Sequence, residues 1–252
     1  MTTHSSDFGA RTPWSAGAAI VFTGISLAVA SAFAVMAGTV YFKLGQWVAA
    51  PGNPIAGEHV TMTNTLLATC VLQVVLFGLA WWGAGRFGSD RRQVLSLPQG
   101  LPLRQLLAGF AGMVAILAPL NLVVYLLWPA DFGHDLRPFA DLARSSAMWL
   151  AVLVLVLGAP LWEEVLFRGF LLPALTKTRY GFAGAAVVTT MAWTALHMGY
   201  TLTSLVEVLI IGFYFCWLMW RYGNLWLTIV LHAFYNGFQL AVIAIWPQLL
   251  AG

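Results

Sequence analysis

The stretch from Met148 to Leu172, MWLAVLVLVLGAPLWEEVLFRGFLL, decides the fold. It is a mostly apolar run long enough for a helix to cross a bilayer, which takes about 20 residues. Its only ionisable residues are Glu163, Glu164 and Arg168. The rest of the chain has the same character. Of 252 residues 60% are hydrophobic and 8% charged, against about 25% charged in ordinary soluble domains. Mean hydropathy is +0.82. A water-soluble domain and a disordered chain are excluded. The formal charge of +3 and pI near 9.1 are spread along an apolar chain and make no phosphate-binding patch, so no nucleic acid partner is expected.

Six further windows resemble the first, giving seven in all: 14–42, 61–85, 105–128, 146–172, 181–199, 203–220 and 224–246. None alternates as a membrane β-strand would. The expected fold is all-α, a polytopic transmembrane helical bundle of about seven spans. Residues 1–13 read as a disordered tail, 14–145 as N-terminal membrane helices with their loops, 146–246 as a helical core that carries the polar residues, and 247–252 as a C-terminal tail. The first window continues to Phe42, past the length of a signal-peptide apolar region, and is read as a span. Trp14, Trp81, Trp82, Trp128, Trp149, Trp220, Trp226 and Trp246 fall near window ends, where an interfacial belt would place them.

With the N-terminus inside, the inner loops receive Arg11, Arg86, Arg91, Arg92, Arg104, Arg168, Lys177, Arg179 and Arg221, leaving Lys43, Arg137 and Arg144 outside. This asymmetry favours an N-in, C-out protein of a bacterial inner membrane. The outer loop 129–145 is acidic, with Asp131, Asp135 and Asp141. Cys70 and Cys216 lie within spans and imply neither a disulfide framework nor a thiolate metal site.

Ionisable groups within a span are costly and mark functional sites. They cluster in the C-terminal half: Glu163, Glu164 and Arg168 in span 4, His197 at the end of span 5, Glu207 in span 6, and His232 with Asn236 in span 7. Glu164 and Arg168 are i,i+4 neighbours and can pair. Glu163 points about 100° away and is left without that cation, as suits a general base. Glu163 and His197 lie at similar distances from the turn near 177–181, so the two side chains can meet. Ala183, Gly184, Ala185 and Ala186 permit close helix approach. His232 and Asn236 share a helical face and can donate two hydrogen bonds to an oxyanion. The plainer reading of this last pair is an interhelical clamp. Glu207, near the presumed outer surface, reads as a snorkelling structural residue.

The set Glu163-Glu164-x-x-x-Arg168, Trp193-x-x-x-His197 and His232-x-x-x-Asn236, each on its own apolar helix, resembles the CPBP family of intramembrane proteases. This is the CAAX protease and bacteriocin-processing family, also called Abi or Rce1-like. The resemblance covers about residues 146–240, including Arg221-Tyr222-Gly223-Asn224-Leu225-Trp226; Trp193 stands where the family usually has Phe. It implies an endopeptidase acting on a membrane protein or peptide within the lipid bilayer. Glu163 would activate the water and His197 hold it. Glu164 and Arg168 would support them, and His232 and Asn236 would stabilise the oxyanion.

Two versions of the chemistry fit: a zinc ion held by Glu163, His197 and His232, or a metal-free glutamate mechanism. There is no His-Glu-x-x-His motif to decide between them. The competing functions are a non-catalytic protein of the same fold, such as a bacteriocin-immunity or regulatory scaffold, and a transporter. The first has no reason to retain a base together with oxyanion donors. The second predicts related halves, which the chain lacks.

Overall fold

The computed structural model describes residues 6–48, 58–140, 142 and 147–246, so Asp141, Arg144 and the expected C-terminal tail lie outside the described residues. Every described element is helical. In chain order they are α1 (Ser6–Ala10), α2 (Ala16–Val48), α3 (Glu58–Ala84), α4 (Arg91–Val94), α5 (Leu103–Leu127), α6 (Met148–Leu175), α7 (Gly181–Ala195), α8 (Leu202–Tyr222) and α9 (Leu225–Ile245), with single 3-10 turns at Arg86–Gly88 and His134–Phe139.

Six of these are long and apolar enough to cross a membrane. The fifth expected span is shorter than its apolar window: α7 has 15 residues, about 22 Å, against the roughly 30 Å of a hydrocarbon core. Beyond Ala195 the chain tightens into turns, with Leu196 N–H bonded to the Trp193 carbonyl at 3.1 Å and His197 N–H to Thr194 at 2.9 Å.

Helix α6 is the centre of the bundle. Its most apolar window is 56% buried, against 11% for α5, which lies at the periphery. It packs against α2, α3, α7 and α9, and the residues from Trp162 to Leu172 are all buried. The outward surface is apolar: Trp82, Trp128, Trp149, Trp220 and Trp246 of the expected belt are exposed, while Trp14 turns inward and donates to the Gly83 carbonyl at 2.9 Å.

Two stretches of α6, Val152–Gly158 and Glu164–Leu171, are π-helical. The wider turn changes the hydrogen-bond pattern, and in lipid each displaced carbonyl needs a donor from elsewhere. In the first stretch neighbouring helices supply them. Gln73 Nε2 on α3 donates to Val154 O at 3.0 Å, and Asn236 Nδ2 on α9 donates to Leu155 O at 2.8 Å. Gly158 has no Cβ because the Gln73 amide occupies that space.

The turn before α9 is drawn into the bundle. Gly223 takes φ 59°, a left-handed conformation that suits glycine, and Asn224 caps α9 by accepting from Trp226 N–H at 3.1 Å. The buried loop Leu95–Leu97 meets this turn, with Leu225 N–H bonded to Ser96 O at 2.9 Å. A Cβ on Gly169 would lie 2.9 Å from Leu225 Cδ2, so α9 begins level with the middle of the second π-helical stretch. His232 is thereby lifted to the depth of the paired glutamates, although it is only about 10 Å along α9 from Leu225.

Residues 6–13 differ from the expected free tail. Phe8 is fully buried and packs on Phe182 with ring centroids 5.4 Å apart, and Lys177 Nζ donates to Thr12 O at 2.5 Å. An apolar side chain with a groove to fill outweighs the polar composition around it.

The acidic loop after α5 is tied to the α7–α8 turn. Asp135 Oδ2 accepts from Thr201 N–H at 3.0 Å and Thr201 Oγ1 at 2.8 Å, and Asp131 accepts from Thr203 Oγ1 at 3.1 Å. Burial by itself raises the Asp135 carboxyl, but donors from Ser204, Thr201 and His134 together outweigh it and hold it below 3.8, its ordinary value. A lowered folded value means that the latch stabilises above the ordinary value and is lost as pH falls through the folded one. Hydrogen exchange should show Thr201 N–H protected near neutral pH and losing that protection on acidification below about pH 4. Asp135→Asn should remove this pH dependence.

Candidate active site

The site is assembled around Arg168, which is fully buried and permanently charged. Its Nη1 donates to Glu164 Oε1 at 3.0 Å, the i,i+4 pair expected from sequence, and both side chains have no solvent exposure. Among the described residues its Nε and Nη2 have no acceptor. Aromatic faces cover the cation, with the Trp193 ring centroid 4.3 Å and the Phe215 ring centroid 5.7 Å from Cζ.

The same Glu164 oxygen receives His232 Nδ1 at 3.1 Å from α9. An ionised carboxylate only accepts, so Nδ1 carries the hydrogen of this bond. The ring's Nε2 stands 4.0 Å from Glu163 Oε2. His232 thus lies between the adjacent glutamates, bonded to Glu164 and close to Glu163.

Glu163 is 7% exposed and has no cation like Arg168. Its Oε2 accepts instead from Trp193 Nε1 on α7 at 2.5 Å. The two glutamates therefore differ in partners: Glu164 is neutralised in an ion pair, while Glu163 is held by a neutral donor.

His197, four residues beyond Trp193, turns back on it. Its Nδ1 lies 3.1 Å from Trp193 O, and its ring is edge-on to the indole with centroids 5.3 Å apart. A carbonyl also only accepts, so Nδ1 of this imidazole is the donor. The side chain is half-buried, beside Tyr200 at 5.3 Å.

The expected residues thus separate into a joined group and a displaced one. Glu163, Glu164, Arg168 and His232 contact one another, and His197 joins them through Trp193. Asn236 is one turn beyond His232, and one of its amide hydrogens is committed to the Leu155 carbonyl. The three side chains expected to share a zinc ion are not gathered into one cluster. Among the described residues no group of three His, Cys, Asp or Glu side chains is placed to hold an ion, so the arrangement does not fit that ligand set.

Glu207 also departs from expectation. It does not snorkel: Tyr235 Oη donates to one oxygen at 2.5 Å and Asn121 Nδ2 to the other at 3.2 Å, linking α5, α8 and α9.

Trp193 is the residue whose importance composition concealed. As a hydrophobic ring replacing another it looks neutral, but a buried indole N–H needs an acceptor. Gln73 gives no signal in the sequence, since a single amide in a span carries no charge.

Residues 145–238 match a known family. That family is described as Type II CAAX prenyl endopeptidase Rce1-like. The matched stretch begins just before α6, ends just past Asn236 and holds every residue of the site, in agreement with the resemblance carried by the sequence motifs. No curated protein and no solved structure matches the chain. With six helices able to span and this family match, the chain is an integral membrane protein.

Removing Arg168 strands a buried carboxylate. Arg168→Ala should lower stability by about 3–5 kcal/mol, read as a lower thermal unfolding midpoint and reduced abundance in the membrane. Arg168→Lys keeps the charge but loses the planar stack on Trp193, and should fall between wild type and Arg168→Ala.

Proposed function

We propose that the chain is an intramembrane endopeptidase that hydrolyses a peptide bond in a membrane-anchored protein or peptide, with Glu163 as the base that activates water. One observation carries the reading: of two adjacent buried glutamates, one is spent on Arg168 and the other is held by a neutral indole N–H, 4.0 Å from a histidine Nε2. A structural ion-pair cluster would have no use for the second. The family match supports the reaction class, and CAAX-type carboxy-terminal segments are the substrate class to test first.

In the proposed reaction a water between Glu163 and the imidazoles gives a proton to the Glu163 carboxylate, and its oxygen bonds to the substrate carbonyl carbon. His197 Nε2 can accept the water's other hydrogen and so orient the attack. The resulting oxyanion meets the amide hydrogen that Asn236 has left. In the doubly protonated ring His232 Nε2 donates to it as well, with Glu164 at Nδ1 balancing the imidazolium charge. Glu163 then passes its proton to the departing amine as the C–N bond breaks. Excluding bulk water strengthens each of these interactions.

Glu163→Gln keeps the shape and the acceptor for Trp193 while removing the base. Comparing new peptide termini in membranes with wild type and with Glu163→Gln should show cleavages that vanish in the variant, at unchanged protein abundance. Persistence of those cleavages would overturn the assignment of Glu163.

Asn236→Ala tests the oxyanion donor against the clamp. Losing the donor should lower kcat about 100- to 1000-fold. Losing the clamp alone should cost about 1–3 kcal/mol of stability. Gln73→Leu is the control, because it strands Val154 O in the same way, remote from the reacting atoms. Equal and mild effects of both variants on kcat would leave Asn236 a clamp. Metal content and chelator sensitivity, measured on the same preparations, separate the zinc-assisted alternative.

A further inference from the structure

The structure points to Trp193 as a positioning residue for the base: we propose that its indole N–H pins Oε2 of Glu163 and so leaves Oε1 as the oxygen that holds the reacting water. The inference rests on the proposed endopeptidase reading. Its ground is the way the indole is itself immobilised.

Trp193 is 3% exposed. One face lies against the Arg168 guanidinium at 4.3 Å, and its ring meets His232 nearly perpendicularly, with centroids 5.6 Å apart at 85°. Behind it, Gly212 on α8 leaves the room the ring occupies: a Cβ there would sit 3.1 Å from Trp193 Cε3. The indole therefore cannot swing, and its N–H direction is fixed by three helices.

Glu163, by contrast, is a flexible side chain with no cation to orient it. A carboxylate whose two oxygens are equivalent has two ways of presenting itself to a water, and a donor at 2.5 Å on Oε2 removes one of them. A hydrogen bond from a neutral N–H to an ionised carboxylate is of the strong, charge-assisted kind. Because the donor is neutral, it orients Glu163 without neutralising it as Arg168 neutralises Glu164. The Trp193 backbone carbonyl also fixes His197 through Nδ1 at 3.1 Å. One residue thus sets the orientation of both groups that would hold the water, from opposite ends of its own structure.

Trp193→Phe is the decisive substitution, since it keeps an aromatic ring against Arg168 and His232, leaves the backbone carbonyl in place, and removes the N–H. Kinetics would be measured in nanodiscs on a synthetic peptide spanning a cleavage site mapped by the Glu163→Gln comparison. The expected result is a fall in kcat of about 10- to 100-fold with KM unchanged, because the base is misplaced while nothing that touches substrate is altered. Wild-type kcat in Trp193→Phe, with Glu163→Gln inactive, would overturn the positioning role and leave the endopeptidase reading standing. Cleavage by Glu163→Gln would overturn that reading instead.

A second measurement needs no substrate. In protein labelled with 15N-tryptophan, the indole N–H resonance that disappears in Trp193→Phe should be shifted downfield, and Glu163→Ala should abolish the shift. An unmoved resonance would overturn the hydrogen bond on which the proposal stands.

Discussion

A guanidinium that cannot lose its proton, placed where there is no water, obliges everything around it to answer its charge. Arg168 is such a group, and Glu164 is the answer at 3.0 Å. Breaking such a pair costs far more than an exposed ion pair is worth, so α6 can be rigid here only while both partners are present. Further order follows. The Glu164 oxygen that takes Arg168 also takes His232 Nδ1, which fixes α9 against α6, and the uncovered face of Arg168 takes the Trp193 ring, which fixes α7. Three helices are thereby registered by one buried ion pair.

The backbone of α6 shows a second use of the same constraint. A π-helical stretch in a spanning helix can leave carbonyls without donors in lipid, and in Val152–Gly158 the bundle meets that need with amides from its neighbours. Gln73 on α3 and Asn236 on α9 each donate to one of two consecutive carbonyls of α6. The second π-helical stretch begins at Glu164 itself, so the local winding of the helix bears on how Glu163 and Glu164 diverge. π-helical bulges often accompany functional sites, and this one carries the carboxylates on which the proposed chemistry depends.

Depth in the membrane is settled by the turn before α9. His232 is too near the start of its helix to reach mid-bundle if that helix began at the surface. Leu225 instead packs on Gly169 and bonds to Ser96, so α9 begins inside, on a floor formed by the buried loop Leu95–Leu97. The loop between α3 and α5 therefore serves the site without contributing a group to it.

Much of this was legible in the chain. Hydropathy fixes the order and character of the apolar helices because a bilayer accepts little else, though not the shortness of the fifth, and the rarity of charge within them isolates Glu163, Glu164, Arg168, His197 and His232 at once. The Glu164–Arg168 pair follows from spacing alone, since neighbours four apart on a helix share a face whatever surrounds them. Tertiary structure alone decided the rest. Spacing could not show that α6 widens into π turns, that Asn236 gives a hydrogen to Leu155, that Glu207 is enclosed by Tyr235 and Asn121, or that the N–H of Trp193 reaches Glu163. Each of these depends on which donor on one helix faces which acceptor on another. Local sequence sets the periodicity of a single helix, but the rotation and depth of its neighbours come from burial summed over the whole bundle, and those decide which polar atoms meet.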